Sequence, residues 1–234
     1  MPHELDIADA LLSFIIFVVS VTLHEAAHAW AALKGGDPTA YHGGQVTIDP
    51  TPHIQREPFG MVVLPLLSLF LIGWPLGFAS APYDPMWAVR HPRRAALMAA
   101  AGPAANLALL IVAALGIKAG MLAGVFHAPS SLSFGHIVGA EGKVVSGIGY
   151  VLGMGFCMNL LMFVFNLLPL PPLDGSGVVM GFLDEETAEK YLAIMHQPAF
   201  TIIGMLLAWK LIAFVYSPIL LFAISLLYPE SNYR

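Results

Sequence analysis

The sequence predicts an all-α polytopic membrane protein, a bundle of about five to six transmembrane or re-entrant helices with a short membrane-associated β segment after the first. Three observations carry that prediction. Of 234 residues, 58% are hydrophobic and only 11% are charged, where soluble domains carry about 25% charge. Mean hydropathy is +0.77. The apolar residues fall into five stretches, over about 8–33, 58–80, 95–117, 145–168 and 199–228, each near the roughly 20 residues that cross a bilayer. The length suits a single transmembrane domain over 1–234.

Taken in order, the N-terminal "MPHELDIADALL" is acidic and lacks the basic region and small-residue cleavage site of a signal peptide. The run at 8–33 therefore reads as a retained transmembrane helix. After it comes "GGDPTAYHGGQVTIDPTPHIQREP", rich in turn residues, whose "QVTID" alternates like a short strand. The segment at 58–80 carries an internal "GWPLG" suited to a bend. "AAGPAANLALL", residues 100–110, reads as the opening of the third helix, with Gly102 and Pro103 suited to a helix start packed closely on a neighbour. Gly149 and Gly153 in the fourth run have the spacing of a close-packing face, and the single cysteine, Cys157, reads as a small packing residue. Residues 182–198 read as a short amphipathic surface helix. The last run reads as one tilted span or two segments, because Pro218 interrupts it.

Basic residues orient these pieces. Lys34, Arg56, Arg90, Arg93 and Arg94 all fall between the first and third runs, so the positive-inside rule puts 34–94 in the cytoplasm and the N-terminus outside. By parity the 58–80 segment must be re-entrant or a hairpin. No basic run points to nucleic acid, and the net charge of −5 says little about partners in a lipid-embedded chain.

Chemistry is concentrated in "LHEAAHAW". His24 and His28 are four residues apart, so on a helix both imidazoles reach one metal ion. Glu25 lies about 100° round the helix, placed to take a proton from a water that zinc has acidified to a pKa of about 7. This composition yields the H-E-x-x-H pattern by chance in about 1% of shuffled chains, so position adds the weight. Ionisable groups inside a membrane segment are functional candidates by default, against the alternative of polar residues lining a pore or satisfying one another.

A zinc hydrolase needs a third protein ligand and an open position. Residues 29–34 read Ala-Trp-Ala-Ala-Leu-Lys, which excludes the extended soluble motif. The candidate is Asp174 in "NLLPLPPLDGSG", where Pro169, Pro171 and Pro172 must end the fourth helix and Gly175 permits close approach. An Asp-Gly pair after a helix is also an ordinary turn. Topology favours the ligand reading, since both histidines and Asp174 arrive at the cytoplasmic end of their helices. Asn106 suits an interhelical hydrogen bond or a catalytic role equally. Asn159 and Asn166 share a helix face and suit either packing or orienting groups beside the metal.

Together, "HEAAH" at 24–28, "AGPAAN" at 101–106 and "FNLLPLPPLDG" at 165–175 resemble the site-2 protease family of intramembrane zinc metalloproteases. The three pieces stand in the family's order. The resemblance implies one Zn2+ per chain held by His24, His28 and Asp174, with Glu25 as general base. It implies cleavage of membrane-anchored proteins within or near their transmembrane helices, and a minimal type without PDZ or CBS domains. It implies a three-helix core at 8–33, 95–117 and 145–175, with 58–80 and 199–228 added, in a multi-pass protein of the cell membrane whose site lies near the cytoplasmic face. Proteases bind substrates extended, so Val46 and Ile48 in "QVTID" are candidates for pairing with an unwound substrate. His42 and His53 are candidates for extra metal or pH-sensing groups. Oligomeric state is open.

A divalent-metal transporter using the same His/Asp cluster is the alternative from another class. It would distribute ligands at mid-membrane and show repeats; no convincing repeat is present.

Overall fold

A computed structural model of the chain describes residues 7–231 and 233; the acidic residues at 1–6 lie outside the described residues. Four helices are long and apolar enough to cross a membrane: α1 (Ile7–Gly35), and, further along, Pro92–Leu122, Lys143–Asn166 and Pro198–Leu227. With these spans the chain is a multi-pass integral membrane protein.

The stretch between the first two spans is held by caps. Past α1, the Oδ1 of Asp37 accepts from the Thr39 backbone N–H at 2.9 Å and from its hydroxyl at 2.5 Å, opening α2 (Thr39–His42). Asp49 caps α3 (Pro50–Arg56) by accepting from Thr51 N at 2.9 Å, with Pro50 at the first position, where its missing N–H costs nothing. The chain then bends by 110° into a helical limb, a π-helical turn at Phe59–Val63 followed by α4 (Leu64–Ile72). At 1.5 Å per residue this limb is about 20 Å long, short of the roughly 30 Å hydrocarbon core.

Gly73, at φ +84°, reverses the chain, and an extended limb runs back along the helix. Leu76 N donates to Ser68 Oγ at 2.7 Å, and Phe78 N donates to Gly60 O at 3.1 Å. Ser80 Oγ donates to Glu57 Oε1 at 2.7 Å, and Asp84 N donates to Asp37 Oδ2 at 2.8 Å. Both limbs therefore begin and end together, beside the C-terminal end of α1.

Asp84 also caps α5 (Pro85–Arg90), accepting from Met86 N at 2.8 Å. α6 (Pro92–Leu122) follows, running antiparallel to α1, and Trp87 Nε1 and Arg94 Nη1 both donate to Gly35 O at 3.1 Å. The helix begins well before "AGPAAN", so the expectation that this motif opens it is corrected: Pro103 sits inside α6. Interior prolines are tolerated in membrane helices because packed neighbours satisfy the freed backbone.

A two-residue antiparallel pair, β1 (Phe126–His127) and β2 (Gly139–Ala140), joins α6 to α7 (Lys143–Asn166). It is the two-stranded sheet of the described residues, and it replaces the strand expected at 45–49. There, residues 46–48 form bends rather than an extended run. Thr47 Oγ1 accepts from Asp49 N at 3.1 Å and Thr47 O meets His53 Nε2 at 3.1 Å, so local bonds curl the backbone that a strand would hold straight. Val46 and Ile48 thus offer no straight edge.

After the proline-rich turn come α8 (Asp174–Val179), a 3-10 turn at Met180–Phe182, and α9 (Glu185–Met195), capped by Asp184 accepting from Thr187 N at 2.8 Å. α10 (Pro198–Leu227) is one continuous helix through Pro218, so the two-segment option for the last run falls away.

Two apolar clusters tie the spans. Leu110, Ala113 and Ile117 of α6 pack with Phe156, Cys157 and Leu160 of α7 and with Ile224 and Leu227 of α10. Phe17 and Val21 of α1 pack with Met61 of the hairpin and with Tyr150, Met154 and Met158 of α7. Outward-facing apolar residues such as Val112, Leu115, Phe70 and Phe214 are exposed, as a lipid-facing surface requires.

Candidate metal centre

His24 and His28 lie on one face of α1 and are buried, as is Glu25. Asp174, the first residue of α8, is delivered to them by the turn that follows α7. His24 Nε2 lies 3.1 Å from Asp174 Oδ2, His28 Nε2 lies 3.3 Å from Asp174 Oδ1, and the two Nε2 atoms are 3.0 Å apart. All three ligand atoms fall within 4.8 Å of one another, and among the described residues no other such trio converges. Gly175 makes the approach possible, because a Cβ there would collide with the carbonyls of Leu167 and Leu168.

The partners of the other ring nitrogens decide what this trio can do. His28 Nδ1 is 2.7 Å from the carbonyl oxygen of Met98. A carbonyl only accepts, so Nδ1 carries a hydrogen, and the neutral ring then presents its lone pair at Nε2. His24 Nδ1 donates in the same way to Asn106 Oδ1 at 2.6 Å, the amide of Asn106 being oriented by its own donation to Asn159 Oδ1 at 2.9 Å. With both rings neutral, two imidazole lone pairs and the Asp174 carboxylate face one another. Asp174 Oδ2 accordingly accepts no aligned hydrogen bond although it is buried.

Three converging acceptors repel unless a cation lies among them. The donor set fits that test: two imidazoles and one carboxylate are ligand types with which proteins hold zinc through three residues, leaving a position open. α6 closes the back of the centre. A Cβ built on Gly102 would lie 2.6 Å from His24 Nε2 and 2.6 Å from His28 Cε1, so only glycine lets the helix backbone come this near.

Glu25 takes no part in the trio. Among the described residues nothing hydrogen-bonds or ion-pairs with its carboxylate, although the residue is only 5% exposed. It neighbours His24 on α1, one step of about 100° away.

The structure thus brings together His24, His28, Asp174 and Asn106, with Asn159 one bond behind. Asn166 ends α7, and its side chain forms no hydrogen bond with the described residues, so it does not join the cluster. Val46 and Ile48 belong to the bends beyond α2, with Ile48 75% exposed. His42 is exposed and stacks edge-on with Tyr41, while His53 is buried against Thr47 O; neither reaches the trio. Sequence reasoning missed the Met98 carbonyl, the intimacy of Gly102 with both imidazoles, and Ser20. A backbone acceptor leaves no side-chain signal. Ser20 left one, being a single helical step of four before His24.

No solved structure matches the chain. Among curated proteins, it is 34% identical over 168 residues to one from Bacillus subtilis (strain 168) named "Putative zinc metalloprotease YwhC", covering 70% of this chain and 66% of that one. It is 33% identical over 193 residues to a protein from Mycolicibacterium smegmatis named "Putative zinc metalloprotease Rip2", covering 82% of this chain and 64% of that one. The chain therefore spans slightly under two thirds of the length of these relatives. A family model described as peptidase family M50 matches residues 12–211, a stretch that includes His24, Glu25, His28 and Asp174, and the chain belongs to that family, the site-2 proteases its three motifs resemble.

Proposed function

We propose that the protein is an intramembrane zinc metalloprotease, hydrolysing peptide bonds of membrane-anchored proteins within or near their transmembrane helices. The observation that carries this reading is the convergence of His24, His28 and Asp174 beside a buried Glu25 that has no hydrogen bond or ion pair among the described residues. His24, His28 and Asp174 hold one zinc ion per chain. When bound, zinc supplies Lewis-acid chemistry, polarising the scissile carbonyl and acidifying water at neutral pH.

The chain's own residues do the rest. Glu25 accepts a proton from the attacking water as its oxygen adds to the carbonyl carbon. Glu25 then returns that proton to the amide nitrogen as the C–N bond breaks. Its carboxylate forms no hydrogen bond or ion pair among the described residues and is available for this. The Met98 carbonyl and Asn106 keep both imidazoles in the tautomer that offers Nε2. Burial of the centre within α1, α6 and α8 limits water to what the open position admits.

Orientation follows from the clustering of Lys34, Arg56, Arg90, Arg93 and Arg94 at the end of the bundle where α1 finishes and α6 begins. The positive-inside rule makes that end cytoplasmic, and the centre lies nearer to it, in a protein of the cell membrane. The names of the two relatives agree with zinc and with proteolysis. The transport alternative draws no support from the fold or the relatives.

The test is a comparison of membrane proteomes from cells making the active protein or Glu25→Gln. The reading expects fragments of single-span membrane proteins only with the active form, and intact ones accumulating with the variant. Identical proteomes would contradict it.

A further inference from the structure

Behind the metal ligands lies a chain of side-chain amides whose direction is set at one end. Asn159 Nδ2 donates to two acceptors, the Gly155 carbonyl at 2.8 Å and Ser20 Oγ at 3.0 Å. With its nitrogen so committed, only Asn159 Oδ1 is left to face Asn106, and it accepts from Asn106 Nδ2 at 2.9 Å. Asn106 Nδ2 also lies 3.8 Å from Met162 Sδ, a weak acceptor. Asn106 must therefore turn Oδ1 toward His24, 2.6 Å from Nδ1. Asn106 is fully buried and Asn159 is 3% exposed, so water offers neither amide an alternative.

We infer that Asn159, which touches neither ligand nor substrate, is a positioning residue that sets the tautomer of His24 at a distance, using the Gly155 carbonyl as its fixed reference. Apart from the weakly accepting Met162 Sδ, the carbonyl is the one group in the chain that cannot exchange donor for acceptor. It orients Asn159, which orients Asn106, which demands a hydrogen on His24 Nδ1 and so leaves the Nε2 lone pair for the metal. Reversing either amide would put an NH2 group against Nδ1 and move the hydrogen to Nε2, where it would block coordination. Ser20 is the second, weaker anchor. Its hydroxyl can donate or accept, so it does not define a direction alone. The relay joins α1, α7 and α6, and returns to α1 one helical step from where it began.

This inference takes the zinc site from the proposed function, but its first readout needs no metal. In metal-free, 15N-histidine-labelled full-length protein, the nitrogen shifts of His24, assigned by their loss in His24→Ala, report the tautomer directly. At a pH high enough to hold the ring neutral, wild type should show the Nδ1–H form. Asn159→Leu and Asn159→Ala should populate the Nε2–H form and weaken zinc binding by about 10–100-fold. Ser20→Ala should keep the wild-type tautomer, since the Gly155 anchor remains. Asn106→Asp in the Asn159→Leu background should restore the Nδ1–H form, because a carboxylate accepts from Nδ1 whichever way it turns. The inference is overturned if both Asn159 variants keep the Nδ1–H form. It is equally overturned if zinc affinity falls with the tautomer unchanged, or if Ser20→Ala disturbs the tautomer as much as Asn159→Leu. Failure of the protease reading would show instead in the proteome comparison, with these shifts unaffected.

Discussion

Gly102→Ala should separate metal binding from folding. The added methyl would lie 2.6 Å from His24 Nε2 and from His28 Cε1, about 0.8 Å inside the 3.4 Å at which ordinary contact begins. Both rings are tethered through Nδ1, to Asn106 and to the Met98 carbonyl, so neither swings away without breaking a bond. Metal sites hold their ligand distances to within about 0.2 Å, several times less than the required shift. Zinc affinity should fall at least about 100-fold, equivalent to about 2.7 kcal/mol. Stability of the metal-free fold should change by less than that. Alanine is better than glycine inside a helix by about 0.5–1 kcal/mol, which partly offsets an overpacking cost of about 1–3 kcal/mol. Chelator competition on purified protein measures the affinity, and thermal unfolding without metal measures the fold. Gly147→Ala, whose methyl meets nothing within 4 Å, is the control. Zinc binding at wild-type strength in Gly102→Ala would refute the claim that α6 presses on the two imidazoles.

Three further outcomes are expected. Asp174→Ala should lose zinc while the four spans persist by circular dichroism, and retained zinc would remove Asp174 from the ligand set. Gly204→Ala should weaken zinc binding by about tenfold from α10, because its methyl would meet Pro171 C and Cδ at 3.0 Å and push the turn that carries Asp174; unchanged affinity would refute that buttress. For Asp37, burial raises the carboxyl pKa, but hydrogen bonds from the Thr39 hydroxyl and from the Asp84 and Thr39 N–H groups more than reverse this and hold it below the ordinary value. Its stabilisation is thus present above the unfolded pKa of about 4 and lost as pH falls through the folded one. Asp37→Asn should cost about 1.5–3 kcal/mol at neutral pH, and melting curves of variant and wild type should converge in acid; a gap constant with pH would refute the ionised clamp.

What the sequence made legible was whatever a single helix or a single breaker enforces. The i, i+4 spacing of His24 and His28 fixes their common face by helix geometry alone. Pro169, Pro171 and Pro172 end α7 with equal necessity, and that is why Asp174 stood out as a candidate. Illegible were the features decided by contact between distant segments. The alternation in "QVTID" has a strand's period, but without a partner the bonds of Thr47 to Asp49 and His53 prevail. Gly102 and Pro103 have helix-start chemistry, yet α6 runs from Pro92 because packing on α1 and α7 overrides local preference. Asn159 was separable from Asn166 only by seeing that the former faces Asn106 and Ser20.

The central claim is that His24, His28 and Asp174 hold zinc for a reaction in which Glu25 moves the proton. The most direct measurement is zinc content alongside cleavage of a reconstituted single-span substrate, for wild type and Glu25→Gln together. The account predicts one zinc per chain in both, with cleavage slower by at least about 100-fold in the variant. A variant that cleaves at the wild-type rate, or a wild type that cleaves without binding zinc, would contradict it.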